Sequence, residues 1–267
     1  MFQFDELQQQ KINEAANLLH EAAQTGKPIK PVRDLISGQN QQAAYAVQKI
    51  NIDRAVKAGA RIVGRKIGLT SLVVQKQLGV DCPDYGILLD EMDVAHGDSV
   101  NLSKIMQPKV EAEIAFVLKT ALDNPRLTIA DILSAIDFVV PAIEIVASRI
   151  ENWDIRITDT IADNASSGLF VLGQRPMRLQ DCDLINCGMQ MSLRGEPVST
   201  GIGAACLGSP INSTLWLAKR MAANGQPLQA GEVILSGALG PMVGVKDGDY
   251  FEVKIEGLGG VNVGFAQ

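Results

Sequence analysis

Glu111 and Glu113 stand two residues apart inside an apolar run, Val110-Glu111-Ala112-Glu113-Ile114-Ala115-Phe116-Val117-Leu118. Such a run reads as a β-strand, where side chains at i and i+2 leave the same face roughly 7 Å apart. Glu144 repeats the theme within Val139-Val140-Pro141-Ala142-Ile143-Glu144-Ile145-Val146. Ionised carboxylates are too costly to bury without partners. A hard divalent cation with oxygen ligands removes that cost, and three clustered carboxylates suit Mg2+ or Mn2+ better than Zn2+. An isolated Glu-x-Glu would instead be read as a solvated sheet face or a partner of Lys and Arg. Here Ala112 and Ala115 leave space, and Glu144 is flanked by isoleucines, which weakens that alternative.

Other segments offer polar chemistry. Lys66 lies in Gly64-Arg65-Lys66-Ile67-Gly68-Leu69-Thr70, after a short strand and between glycines, where backbone can approach a ligand. A lysine in a cleft binds a carboxylate or exchanges a proton, and at a strand end it is equally often solvated. Asp84, in Asp81-Cys82-Pro83-Asp84-Tyr85-Gly86, carries turn chemistry. Ser166, in Asp163-Asn164-Ala165-Ser166-Ser167-Gly168, could orient an oxyanion or cap a turn. The loop Ser236-Gly237-Ala238-Leu239-Gly240-Pro241 has neither the P-loop nor the dinucleotide pattern, and fits a close backbone approach or a tight apolar turn. His20 falls on a helix and His96 before a turn, and no Gly-x-Ser-x-Gly supports a nucleophilic triad.

The elements that must position these groups follow from periodicity. Ile12, Ala15, Ala16, Leu18, Leu19 and Ala22 predict a helix over 5–25, stopped by Gly26 and Pro28. A second helix is predicted from Gln41 to Ala58. Beyond residue 60 the texture changes to short strands: 61–64, 112–118, 138–146, 168–172, 188–193, 233–235 and 250–255. Helices are predicted from Thr128, with Asp131 completing a capping box, and from Pro210 to Ala223. Regular βα alternation is absent, which disfavours a doubly wound sheet. The expectation is an α+β chain: a small helical region over 1–60, then a mixed, rolled-up β domain over 61–267.

Bulk properties narrow the function. The 267 residues carry 24 basic and 30 acidic groups, a net charge of −6, and only 4% aromatics. A nucleic-acid partner is disfavoured on both charge and stacking grounds. Cys82, Cys182, Cys187 and Cys206 show no zinc-ligand spacing and read as reduced thiols of a cytoplasmic protein, although Cys182 and Cys187 could meet across a turn. Met1-Phe2-Gln3-Phe4-Asp5-Glu6 shows no leader pattern, and no apolar run reaches the ~18 residues of a membrane span.

Taken in order, these segments resemble the hydratase/decarboxylase branch of the fumarylacetoacetate hydrolase superfamily. The resemblance runs from Pro31-Val32-Arg33-Asp34 to Gly257-Leu258-Gly259. It is most specific at 64–70, at Gln107-Pro108-Lys109-Val110-Glu111-Ala112-Glu113 and at Asp159-Thr160-Ile161-Ala162-Asp163-Asn164-Ala165-Ser166. It implies a mixed β-roll with peripheral helices and a homo-oligomer built from dimers. Glu111, Glu113 and Glu144 fall on metal-ligand positions; Lys66, Asp84 and Ser166 fall on positions for substrate binding and proton transfer. The implied reaction is metal-dependent hydration of a small anionic 2-hydroxydienoate, 2-hydroxypenta-2,4-dienoate, to 4-hydroxy-2-oxopentanoate, in the meta-cleavage catabolism of aromatic compounds. The loop at 237–243 favours hydration over decarboxylation of 4-oxalocrotonate, the sister activity. The lack of a matching histidine disfavours C–C bond hydrolysis. The competing class is a metal-stabilised binding protein without turnover.

Overall fold

The computed structural model describes residues 4–72, 75, 80 and 82–267. Residues 1–3 of the N-terminal segment read for a leader, and Asp81 of the segment before Gly86, lie outside these. Helix α1 (Glu6–Thr25) buries Ile12, Ala15, Ala16, Leu19 and Ala22, one face of a 3.6-residue period. Asp5 caps it: its Oδ1 accepts from the Gln8 N–H at 2.8 Å, and the Gln8 side chain accepts from the Asp5 N–H. Leu18, expected on this stripe, is 36% exposed, because it sits a turn's fraction off the buried face. A single turn, α2 (Arg33–Ile36), leads into α3 (Gln41–Lys57), capped by the Asn40 side chain.

Strands β1 (Ile62–Gly68), β2 (Asp84–Leu89), β3 (Asp93–Val94), β4 (Ser99–Asn101) and β5 (Lys109–Leu118) follow. Helix α4 (Ile129–Ala135) runs directly into β6 (Ile136–Val146), and α5 (Ile157–Ala162) precedes β7 (Ser167–Leu172). The chain ends with β8 (Gly188–Leu193), β9 (Glu196–Ile202), α6 (Pro210–Ala223), β10 (Val233–Leu235), β11 (Val243–Gly244), β12 (Tyr250–Ile255) and β13 (Gly259–Ala266). One sheet has the order β2-β1-β10-β5-β6-β7-β3, with β11 also on β5; the other is β4-β13-β12-β8-β9. Both are mixed: β1 runs parallel to β10, β3 to β7 and β4 to β13. This is the α+β roll that the sequence leads one to expect, with β12 and β13 packed over β6. Helices α1 and α3 contribute to the same hydrophobic core as both sheets.

The alternation along β5 builds the site. Val110, Ala112, Ile114, Phe116 and Leu118 enter the main core. The opposite face carries Lys109, Glu111 and Glu113, then Ala115 and Val117, which join a smaller core with Leu88, Val140, Ala142, Phe170, Val233 and Leu235. Polar groups therefore occupy only one end of an otherwise apolar face.

Several local expectations change. β1 continues to Gly68 rather than stopping at Gly64, so Lys66 lies inside a strand and is buried. Asp84, read as a turn-former, opens β2 and is buried too. Its pairing with Gly68 holds it in the ladder despite the preceding proline. Short α5, Pro- and Gly-containing β9 and Gly-led β13 give too little apolar periodicity to be read from sequence. Gly64 shows how closely β1 and β10 approach: a Cβ there would lie 2.0 Å from the Val233 carbonyl oxygen. Gly64→Ala is expected to cost at least about 3 kcal/mol in urea denaturation, the upper end for overpacking. Gly244→Ala, where nothing lies within 4 Å, is the control and is expected to change stability little. Equal stability of the two variants would show that the ladder yields.

Candidate metal centre and active-site cleft

Glu111 on β5 sits directly opposite Glu144 on β6, and Glu113 lies two residues further along the same face. Like charges directly opposed across a ladder are destabilising. Each of the three offers a carboxylate oxygen, and these atoms all lie within 4.8 Å of one another. Glu113 and Glu144 are fully buried, while Glu111 borders the cleft. The loop between β10 and β11 orients Glu113: the Gly237 N–H donates to its Oε2 at 2.7 Å. Residue 237 has φ +109°, and a Cβ there would come within 2.3 Å of the Thr70 side chain, so only glycine fits. This loop therefore serves a carboxylate, a role its composition did not suggest.

Glu113 Oε1 and both Glu144 oxygens have no hydrogen-bond partner. Lys66 Nζ lies 2.9 Å from Glu144 Oε1, as a charge pair without hydrogen-bond alignment. Buried, unpartnered carboxylate oxygens converging on one volume fit a hard cation with oxygen ligands. The electrostatics agree. Burial, then the charges of Glu144 and Glu111, hold the Glu113 carboxyl well above the usual range. Burial and then Glu144 push Glu111 up to about 7. Burial alone would push the Lys66 ammonium down, but Glu144, Asp84 and Glu111 outweigh it and keep the cation above its ordinary value.

Asp84 faces Lys66 from the neighbouring strand. Burial pushes its carboxyl up to about 6, while Lys66 and a hydrogen bond from Thr160 pull the other way. Gly68, its ladder partner, makes room: a Cβ at 68 would lie 2.1 Å from Asp84 Oδ1. Ser166 is buried at the end of a run of left-handed residues, Asn164, Ala165 and Ser166, with φ of 53°, 52° and 53°. The Asn164 side chain fixes this run to β2, accepting from Ile87 N–H at 2.8 Å and donating to its carbonyl at 2.9 Å. Left-handed backbone outside glycine persists only where surroundings enforce it, and it concentrates at functional sites. Ser166 Oγ is 3.2 Å from Thr160 Oγ1, and both hydroxyls line the same cleft as Asp84.

A cleft of about 1370 Å³ gathers Lys66, Asp84, Glu111, Thr160 and Ser166 on its wall. All six residues expected from sequence thus meet in or directly behind one cavity. Sequence reasoning passed over Thr160, a lone threonine within a stretch noted for other reasons. It also passed over the wall formed by Lys109, whose Nζ lies 4.2 Å above the Trp153 ring, and by Trp153, whose indole N–H donates to the Gln107 carbonyl. Asp159 seats the helix carrying Thr160, accepting from the Arg33 and Arg156 backbone N–H groups and from the Arg33 guanidinium. Neither histidine lines the cleft; the His96 Nδ1 accepts from the Asn262 N–H. All four cysteines, Cys182 and Cys187 included, are free thiols.

Residues 78–265 match the family described as fumarylacetoacetate (FAA) hydrolase C-terminal. The chain belongs to the fumarylacetoacetate hydrolase family. It is 58% identical over 267 residues, all of both chains, to the TodF product hydratase of Pseudomonas putida F1. It is 56% identical to the 2-keto-4-pentenoate hydratase of Paraburkholderia xenovorans LB400, covering 96% of this chain and 95% of that one. The structure of 4-oxalocrotonate decarboxylase from Pseudomonas putida G7, complexed with magnesium and adipate, superposes with a TM-score of 0.92 at 37% identity, covering 96% of this chain and 98% of that one.

The unpartnered carboxylates generate a test. Mg2+ is expected to raise the thermal midpoint of chelator-treated protein, and Glu113→Gln is expected to abolish the rise. Without metal, Glu113→Gln is expected to be at least as stable as the parent, since glutamine can still accept from Gly237 and carries no charge to desolvate. A calorimetric or fluorescence melt that showed equal Mg2+ shifts for both proteins would remove Glu113 from the centre.

Proposed function

We propose that this chain is a metal-dependent hydro-lyase that adds water to 2-hydroxypenta-2,4-dienoate to give 4-hydroxy-2-oxopentanoate, a step of aromatic-compound meta-cleavage catabolism. The observation that carries the reading is one cleft whose wall holds Lys66, Asp84 and Glu111, with Glu113 and Glu144 clustered on Glu111 behind it. It is supported by relatives at 56–58% identity that are named hydratases. Glu111, Glu113 and Glu144 would hold the cation. Their all-oxygen donor set selects Mg2+ or Mn2+. Such a cation supplies Lewis-acid stabilisation of negative charge on the substrate's 2-oxygen.

The chain's own groups do the rest. Lys66, kept cationic by its neighbours, binds the substrate carboxylate. Ser166 and Thr160 orient the 2-oxygen end by hydrogen bonding. Protonation at C5 gives a conjugated 2-oxo acid whose C4 is electrophilic; water adds there, and C3 takes the last proton. Asp84, poised near neutrality and joined to Thr160, is the acid/base for these transfers. We divide the chain at about residue 60, into a helical N-terminal region, 1–60, and the mixed β-roll catalytic domain, 61–267, as far as the described residues extend. We read the assembly as a cytoplasmic homo-oligomer built from dimers, with no nucleic-acid partner. Among the described residues no helix is long and apolar enough to cross a membrane.

Product identification with 2-hydroxypentadienoate and 4-oxalocrotonate decides between hydration and decarboxylation; carbon dioxide release from the second with no hydration of the first would overturn the proposal. Failure to turn over either would leave a metal-stabilised binding protein. Asp84→Asn keeps the shape of the side chain but cannot accept a proton, and kcat is expected to fall on the order of a hundredfold. Lys66→Met is expected to raise KM, with the smaller effect on kcat, if the ammonium serves binding. Steady-state ultraviolet assays of the dienol read both, and unchanged parameters would return either residue to a structural role.

A further inference from the structure

Gln48 is buried on α3 and lies outside the residues 78–265 matched to the family. Its Nε2 donates one hydrogen to the Tyr85 carbonyl at 2.9 Å and the other to the Ile161 carbonyl at 3.2 Å. The two acceptors belong to different elements. Tyr85 follows Asp84 on β2, and Ile161 follows Thr160 on α5. Both carbonyls need an outside donor. β2 is an edge strand of the larger sheet. The Asn164 side chain takes the backbone groups of Ile87, two residues further along that edge, and among the described residues no strand pairs with Tyr85 on that side. Ile161 lies in the last turn of a six-residue helix, where carbonyls lack intrahelical partners. A helix that short does not hold its own position in water. One carboxamide thus ties together the backbone of the two segments that carry Asp84 and Thr160.

We infer that Gln48 is a positioning residue for the reaction, setting the separation of β2 and α5 and thereby aligning Asp84 with the Thr160–Ser166 hydroxyl pair. The inference rests on the hydration reading above. Gln48 touches neither the cleft nor the carboxylate cluster, and it is not among the residues lining that cavity. Its removal should therefore act on the alignment of proton-transfer groups, while the cation and the substrate carboxylate keep their contacts. A displacement of about 1 Å in such a group is enough to reduce a rate by up to a hundredfold.

The test uses Gln48→Met, which keeps length and volume but removes both donors. In the Mg2+-loaded enzyme kcat is expected to fall about ten- to hundredfold, with KM and Mg2+ affinity held within about twofold. In a Thr160→Val background the same substitution is expected to have no further effect on kcat, because the alignment is already lost. If Gln48→Met does not fold, Gln48→Asn, one methylene short of bridging both carbonyls, is expected to give the same kcat–KM split. Unchanged kcat, a loss explained by the folded fraction alone, or losses that add in the double variant would overturn the inference. A wild-type enzyme that hydrates no dienoate would overturn the proposed function instead. Amide hydrogen exchange then still decides the role of Gln48. Segments 84–89 and 157–166 are expected to exchange faster in Gln48→Met, with β12 unchanged; equal exchange in those segments would overturn the inference.

Discussion

Mutual repulsion among Glu111, Glu113 and Glu144, packed into one buried volume with a single lysine in contact, is the constraint around which the structure is arranged. The larger sheet spends the polar end of β5 on these groups and fills the remainder of that face with small and branched apolar side chains. Among the described residues, the surrounding apolar face offers the carboxylates no hydrogen bond. A backbone donor that reaches them comes from a loop that leaves the ladder at Gly237 and rejoins it at β11. A cation held there, as proposed above, would complete the coordination that the protein leaves open, and folding energy and binding energy would share one site.

The side of the cleft that carries Asp84 is built differently. Asp84, Thr160 and Ser166 come from an edge strand, a short helix and a left-handed turn, none of which is rigid alone. Their order derives from side-chain amides and carboxylates acting as substitutes for missing backbone partners. Asn164 takes the place of a strand beside Ile87, and Asp159 gathers the N–H groups ahead of α5. The division suits the chemistry proposed above. The three glutamates sit on long central strands, and Asp84, Thr160 and Ser166 sit on segments tied by a few specific hydrogen bonds.

Much of this was legible in the sequence because it obeys short-range rules. A two-residue period put Glu111 and Glu113 on one face, and caps and apolar stripes located α1, α3, α4 and α6. Family resemblance singled out Asp84, whose local chemistry said only turn, and Ser166, whose local chemistry fitted an oxyanion contact and a turn cap equally. What was illegible depended on distance. Asp84 joins a strand because Gly68 admits it, and Lys66 is buried because Glu144, from a strand far along the chain, is there to meet it. Thr160 carries no signal until α5 is seated beside β2.

The position of β10 has a consequence for biosynthesis. It is threaded between β1 and β5, so residue 64 finds its parallel neighbour only at residue 233. While the chain emerges from the ribosome, β1 and β5 have no strand between them, and Lys66 cannot be held at its final distance from the glutamates. The lysine and the glutamates thus reach their final arrangement only once residue 233 has been made, through a contact of very long sequence separation, the kind that makes folding slow. Until then the three glutamates are ordered by the pairing of β5 with β6 alone, without the strand that carries the cation facing them.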